Sequence, residues 1–98
     1  MQTELRFPRE NLCELWVQNR GDYTPPAILI SVSGPLPGIR ALDTVNGFQA
    51  QVLSEEERLE FRGPPPGFGD PVLAGWWVIN PQPGYSQTLS ATTVEVFQ

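Results

Sequence analysis

The chain predicts an all-β fold: an immunoglobulin-like two-sheet antiparallel sandwich of about seven strands. Two observations carry the prediction. Short runs of alternating apolar and polar residues recur along the sequence, with turn residues punctuating them about every 8 to 12 residues and no convincing helix between them. The clearest run is 12–19, where Cys13, Leu15 and Val17 alternate with Glu14, Trp16 and Gln18, the period of two expected of a strand with one buried face. It stops at Asn19, Gly21 and Asp22, residues that tolerate positive φ or hydrogen-bond their own backbone and so turn the chain.

The other elements follow in order. Residues 3–7 form a short first strand, with Pro8 marking an edge position or a strand end because it lacks a backbone donor. After the polar turn 20–24 and Pro25-Pro26, residues 27–33 form a third strand in which Ile28, Ile30 and Val32 alternate with Leu29 and the serines. Gly34-Pro35-Leu36-Pro37-Gly38 is expected to break it, since two prolines and two glycines in five residues suit neither helix nor central strand. A brief strand at 39–42 precedes the Asn46-Gly47 turn, after which Phe48, Ala50 and Val52 alternate with Gln49, Gln51 and Leu53.

Ser54 followed by three glutamates has the look of a helix N-terminus. Only about nine residues separate Ser54 from Gly63, however, and Leu59 with Phe61 continues the alternation. A tight turn and a short strand over 58–62 is the preferred reading, with a single helical turn as the alternative. Residues 63–71, with four prolines and three glycines, form a semi-rigid loop of polyproline character. The strand 72–80 places Leu73, Trp77 and Ile79 on one face and Val72, Trp76 and Val78 on the other, both apolar. In the last strand, 87–97, the pattern slips from odd to even positions, so a β-bulge is expected near Thr92 and Thr93.

Ninety-eight residues make one domain with one core, 1–98, and 40% hydrophobic content with 10% aromatic is ordinary globular composition. The net charge of −5, with neither Lys nor His, disfavours nucleic acid and anionic lipid as partners. No window approaches 18 apolar residues, so no membrane insertion is expected, and the N-terminal segment lacks the apolar region of a signal peptide. Cys13, the only cysteine, reads as a small core hydrophobe. The chemistry-bearing inventory is poor: no His for a general base or zinc, no Lys for a Schiff base, and no phosphate-binding glycine loop. Glu55 to Glu57 read as a solvated turn, and Asp22, Asp43 and Asp70 do not form an alternating calcium loop. No cofactor, metal or catalytic residue is therefore assigned, and the chain is not expected to be an enzyme.

The run Leu15-Trp16-Val17-Gln18-Asn19-Arg20-Gly21-Asp22, then the Ile-Leu-Ile-Ser-Val strand and Leu36-Pro37-Gly38, resembles the opening of bacterial immunoglobulin-like surface repeats of the cell-adhesion-related (CARDB-like) group. Asn46-Gly47-Phe48, Phe61-Arg62-Gly63, Trp77-Val78-Ile79, Pro83-Gly84-Tyr85 and Leu89-Ser90-Ala91-Thr92 fit the same frame, so the likeness spans 12–94. Two features depart from it: the loop 63–71 is richer in proline, and the pattern has no second copy. The resemblance implies a non-catalytic module, extracellular or at the cell surface as part of a longer chain. A cytoplasmic protein is the alternative if Met1 is the native start.

Four residues are candidate ligand-binding positions. Trp76 and Trp77 are adjacent, so in a strand they point to opposite faces. One anchors the core, and Trp76 is the candidate platform for a sugar or partner unless Phe68 or Pro64 to Pro66 cover it. In an immunoglobulin-like topology the turns at 20–26 and 81–86 share an end, which would gather Asp22, Tyr23 and Tyr85. Arg20-Gly21-Asp22 also spells an integrin-recognised tripeptide, but the turn explains Gly21 and Asp22 by itself. The expected function is a structural, adhesion or protein-interaction module, binding a protein partner or self-associating through an edge strand. The alternative is a carbohydrate-binding module that uses exposed aromatics.

Overall fold

The computed structural model describes residues 1–9, 11–21, 24–36, 39–54, 56–79 and 93–97, with backbone alone at 34–36, 54, 56–57 and 93–97. Alternation becomes structure directly: eight strands, β1 (Gln2–Arg9), β2 (Leu12–Gln18), β3 (Ile28–Leu36), β4 (Arg40–Thr44), β5 (Gln49–Ser54), β6 (Glu56–Gly63), β7 (Val72–Val78) and β8 (Thr93–Phe97), all paired antiparallel. They form two four-stranded sheets, ordered β1-β2-β7-β4 and β5-β6-β3-β8. The first has the A-B-E-D order of an immunoglobulin sheet once the β5–β6 hairpin is counted as an insertion. In the second, β3 pairs β8 as C pairs F, and the hairpin takes the other side of β3. The expected immunoglobulin-like two-sheet sandwich is present, with eight strands in place of about seven. No helix among the described residues is long and apolar enough to cross a membrane.

The core is the meeting of the two inner rows. Cys13, Leu15 and Val17 of β2 and Ala74 and Trp77 of β7 face Ile28, Ile30 and Val32 of β3 and Leu59 and Phe61 of β6, with Phe48 and Ile79 also buried. Phe61 and Trp77 meet with ring centroids 5.7 Å apart and planes tilted by 37°. The packing is close at Gly75, where a Cβ would stand 2.6 Å from the Asp43 carbonyl oxygen of the neighbouring strand β4 and 2.7 Å from the Phe61 ring of the facing sheet.

Three sequence expectations need correction. β3 does not break at Gly34-Pro35 but runs to Leu36; its pairing with β6 skips from Ser33 to Leu36, so the proline nitrogen falls in a register irregularity where no ladder bond is asked of it. The strand after Ser54 is longer than 58–62, and no helical turn forms there, because β6 starts at Glu56 and pairs with both β5 and β3. In β7, Gly75 pairs Leu15 while Leu73 pairs Trp16, which leaves Ala74 as the extra residue of a bulge. Upstream of that bulge the faces exchange: Leu73 joins Trp76 on the outer face and Val72 lies opposite Val17. The expected turn at Asn46-Gly47 is present, with φ of 57° and 82°, closed by the Phe48 N–H donating to Val45 O at 3.2 Å, the φ signs of a type I′ turn. Yet the strands it joins, β4 and β5, belong to different sheets. The expected bulge near Thr92 and Thr93 lies at and beyond the limit of the described residues.

Pro8 sits in edge strand β1, where the register with β2 shifts between Arg6 and Arg9, as its missing donor requires.

Gly75→Ala is expected to destabilise the fold by about 1–3 kcal/mol, since the clash is with backbone as well as a ring; urea unfolding monitored by Trp fluorescence checks this. A second test uses Cys13, whose thiol is pushed from its ordinary 9.0 up to about 12, first by burial and then by the Glu14 carboxylate. The unfolded thiol ionises near its ordinary value while the folded one stays protonated. Stability is therefore unaffected by this group below about pH 9 and falls between about 9 and 12, by up to roughly 1.4 kcal/mol per pH unit. Comparing unfolding free energies of the wild type and Cys13→Ala at neutral and alkaline pH should show a shallower alkaline loss in the variant.

Candidate functional site

The period of β2 places Asn19 in the same row as Cys13, Leu15 and Val17, so an amide enters where the next core side chain would go. It is only 2% exposed. Its Nδ2 donates to Thr24 Oγ1 at 3.0 Å and to the Pro66 carbonyl at 3.3 Å, while its Oδ1 accepts the Gly21 N–H at 3.2 Å. The last contact is an Asx-type turn, and it supports the structural account of the Arg20-Gly21 stretch. Arg20 itself donates to Gln2 Oε1 at 2.8 Å. One amide thus ties the end of β2 to the following turn and to the proline-rich loop.

Two further contacts fix that loop. Gln18 Nε2 donates to Gly69 O at 2.8 Å, and Asn19 forms an isolated parallel bridge with Phe68. Pro66 is buried and Pro65 half-buried beneath this clamp, which leaves only Pro64 of the three prolines exposed. Phe68, between Gly67 and Gly69, is 59% exposed, more than any other large apolar residue described as exposed.

The tryptophans diverge as adjacent strand residues must. Trp77 enters the core, where its Nε1 has no hydrogen-bond partner among the described residues. Trp76 is half-buried on the outer face, in register with Glu14 of β2 and Asp43 of β4. Trp16 shares that face: the Arg6 guanidinium lies 4.3 Å from its ring centroid, its Nε1 donates to Glu14 Oε1 at 3.1 Å, and Arg6 pairs with Glu4 at 3.1 Å. This face is a tryptophan strip overlaid by charge. Asp22, Tyr23 and Tyr85 lie outside the described residues. The chain leaves β2 beside Val72 and leaves β7 beside Leu12; the turn at 81–86, and with it the expected gathering, lies outside the described residues.

The described surface also carries a cleft and a small pocket. A cleft of about 510 Å³ over the second sheet is lined by Leu29, Gln49, Ala50, Gln51, Glu60 and Arg62. A small pocket of about 30 Å³ lies beside Trp16 and Pro71. Among the described residues no group of three or more His, Cys, Asp or Glu could hold a metal. In the sequence Asn19 reads as a turn residue; the available signal for its buried role is that it continues the inward-facing row of β2.

Asn19→Ala should cost about 1–3 kcal/mol, since it removes three hydrogen bonds and strands the buried Pro66 carbonyl, and should speed amide exchange across 64–70. Phe68→Ala should stay within about 0.5 kcal/mol of wild type in the same unfolding measurement. No protein-family model, curated protein or solved structure matches this chain.

Proposed function

We propose that this chain is a non-catalytic protein-interaction module, a sandwich whose work is to present the Phe68 loop to a protein partner. The observation that carries the reading is a mismatch of exposure and order: Phe68 is the most exposed of the large apolar residues among the described residues, yet its loop is clamped by Asn19 and Gln18. An exposed ring adds little to the stability of its own fold. Clamped in place, it loses little conformational freedom on docking, which is the property of an aromatic anchor at an interface. Full burial of such a ring against a partner contributes about 1.5–3 kcal/mol.

The likeness to adhesion-related surface repeats fits the same use, and with it comes the proposal of an extracellular or cell-surface setting within a longer chain. The carbohydrate-binding alternative draws less support. Trp76 is half-buried and Trp16 lies under Arg6, so neither offers a free flat platform.

The test places a photoreactive benzoylphenylalanine at position 68 and, as a control, at exposed Arg40, in the cell of origin. The partner identified from position 68 is then titrated against purified wild type and Phe68→Ala. At least about tenfold weaker binding by the variant is expected, equivalent to about 1.4 kcal/mol. Equal binding by Phe68→Ala, or identical adducts from both positions, overturns the reading. A saturable Trp fluorescence change on titration with a polysaccharide would favour the alternative.

A further inference from the structure

The edges of the two sheets are not equally protected. β1 carries Pro8, a register break between Arg6 and Arg9, and the charges Glu4, Arg6 and Arg9. β4 carries Arg40 and Asp43 around a register break that holds Ala41 at a φ of 52°. These are the devices that keep an edge strand from pairing with another chain. β5, Gln-Ala-Gln-Val-Leu-Ser, carries no charge and no proline, and it runs in register with β6 from Gln49 to Val52, shifting only afterwards.

The inner row also ends unfinished at this edge. Val52 pairs with Leu59, which is fully buried, yet Val52 is 41% exposed and its neighbour Leu53 44%. The hydrophobic row that crosses β3 and β6 thus stops in solvent at β5. A strand added alongside would continue it.

We infer that the added strand is β5 of a second copy, antiparallel about a two-fold axis at Gln51. Residues directly opposite in an antiparallel pair share a face, and a two-fold axis normal to the sheet preserves that face, so the axis must pass through a residue. With the axis at Gln51, Ala50 lies opposite Val52 of the second copy, Gln49 opposite its Leu53, and Gln51 opposite itself. The irregularity after Val52 then falls at the ends of the seam, whereas an axis at Val52 would put it beside the centre. Charge favours a second copy at this place: a chain of net charge −5 repels itself over most of its surface, and β5 is an uncharged seam. The product is a continuous eight-stranded sheet with Val52 covered at the join.

The test is sedimentation over a concentration series, together with two single cysteine variants. Wild type should show a concentration-dependent dimer, and Gln51→Lys, which sets two like charges face to face, should abolish it without altering the far-UV circular dichroism. Under mild oxidation Gln51→Cys should form a disulfide-linked dimer. Gln49→Cys should not, because its copies lie four residues apart along the seam, roughly 13 Å. The natural Cys13 is buried and does not compete. A monomer at every concentration, a dimer that survives Gln51→Lys, or equally fast linking through position 49 overturns the proposal. The Phe68 reading is independent, and Phe68→Ala should dimerise as wild type does.

Discussion

One end of the sandwich depends on a single buried amide. Asn19 continues the row of Cys13, Leu15 and Val17 but cannot be satisfied by packing, because an amide removed from water without partners costs roughly 2–7 kcal/mol. The partners come from segments without a regular ladder of their own: the Gly21 N–H, the Thr24 hydroxyl and the Pro66 carbonyl. The amide therefore does for the loops what strand pairing does for the sheets. It also ties down a glycine-rich loop: Pro66 is buried beneath the clamp, and Phe68 is bridged to Asn19.

The second constraint lies in β7. Gly75 lets the Phe61 ring and the Asp43 backbone approach where a side chain would stand, and this close approach seats Phe61 against Trp77. The adjacent bulge at Ala74 then turns Leu73 to the outer face beside Trp16. That face becomes too apolar to stand open, and Glu4, Arg6 and Glu14 lie across it as a charged layer over the indole. A cation over a ring at a half-exposed site contributes about 0.5–1 kcal/mol. A guanidinium already stacked on Trp16 also occupies the place a planar ligand would take. The shape of the core thus bears on which outer residues are open to partners.

Much of this fold was legible in the sequence because most of its strands have one buried face, which writes a period of two. The inner rows of β2 and β3, the Asn46-Gly47 turn and the opposite fates of Trp76 and Trp77 all follow from that period and from backbone preference. The failures have equally physical causes. A bulge shifts the period by one residue without leaving a mark in composition, so Leu73 was assigned to the wrong face. Gly34-Pro35 reads as a break only if every strand residue must pair, and β3 passes through by leaving its pairing irregular there. The Asn46-Gly47 turn announces its φ angles but not whether the next strand stays in the same sheet. Phe68 was hidden because its exposure depends on hydrogen bonds from Gln18 and Asn19, about fifty residues away in sequence, and no local pattern records such a contact.

Two kinds of exposed apolar surface result, and they arise from opposite causes. Phe68 is exposed because something holds it out; Val52 is exposed because the row behind it ends. They also occupy different parts of the molecule. Arg62 and Gly63 run directly into the proline-rich loop, so the Gln49 end of β5 lies near that loop, while Leu53 lies toward the opposite end, where β5 turns into β6. A copy added along β5 would place one Phe68 loop on each half of a two-fold assembly. A partner that itself carries two sites would then meet paired anchors at fixed separation, and its second contact would form at the high effective concentration of a tethered site rather than from bulk. On this proposed arrangement a single ring of modest individual affinity would suffice for firm attachment, which suits a chain of 98 residues with little surface to devote to any one interface.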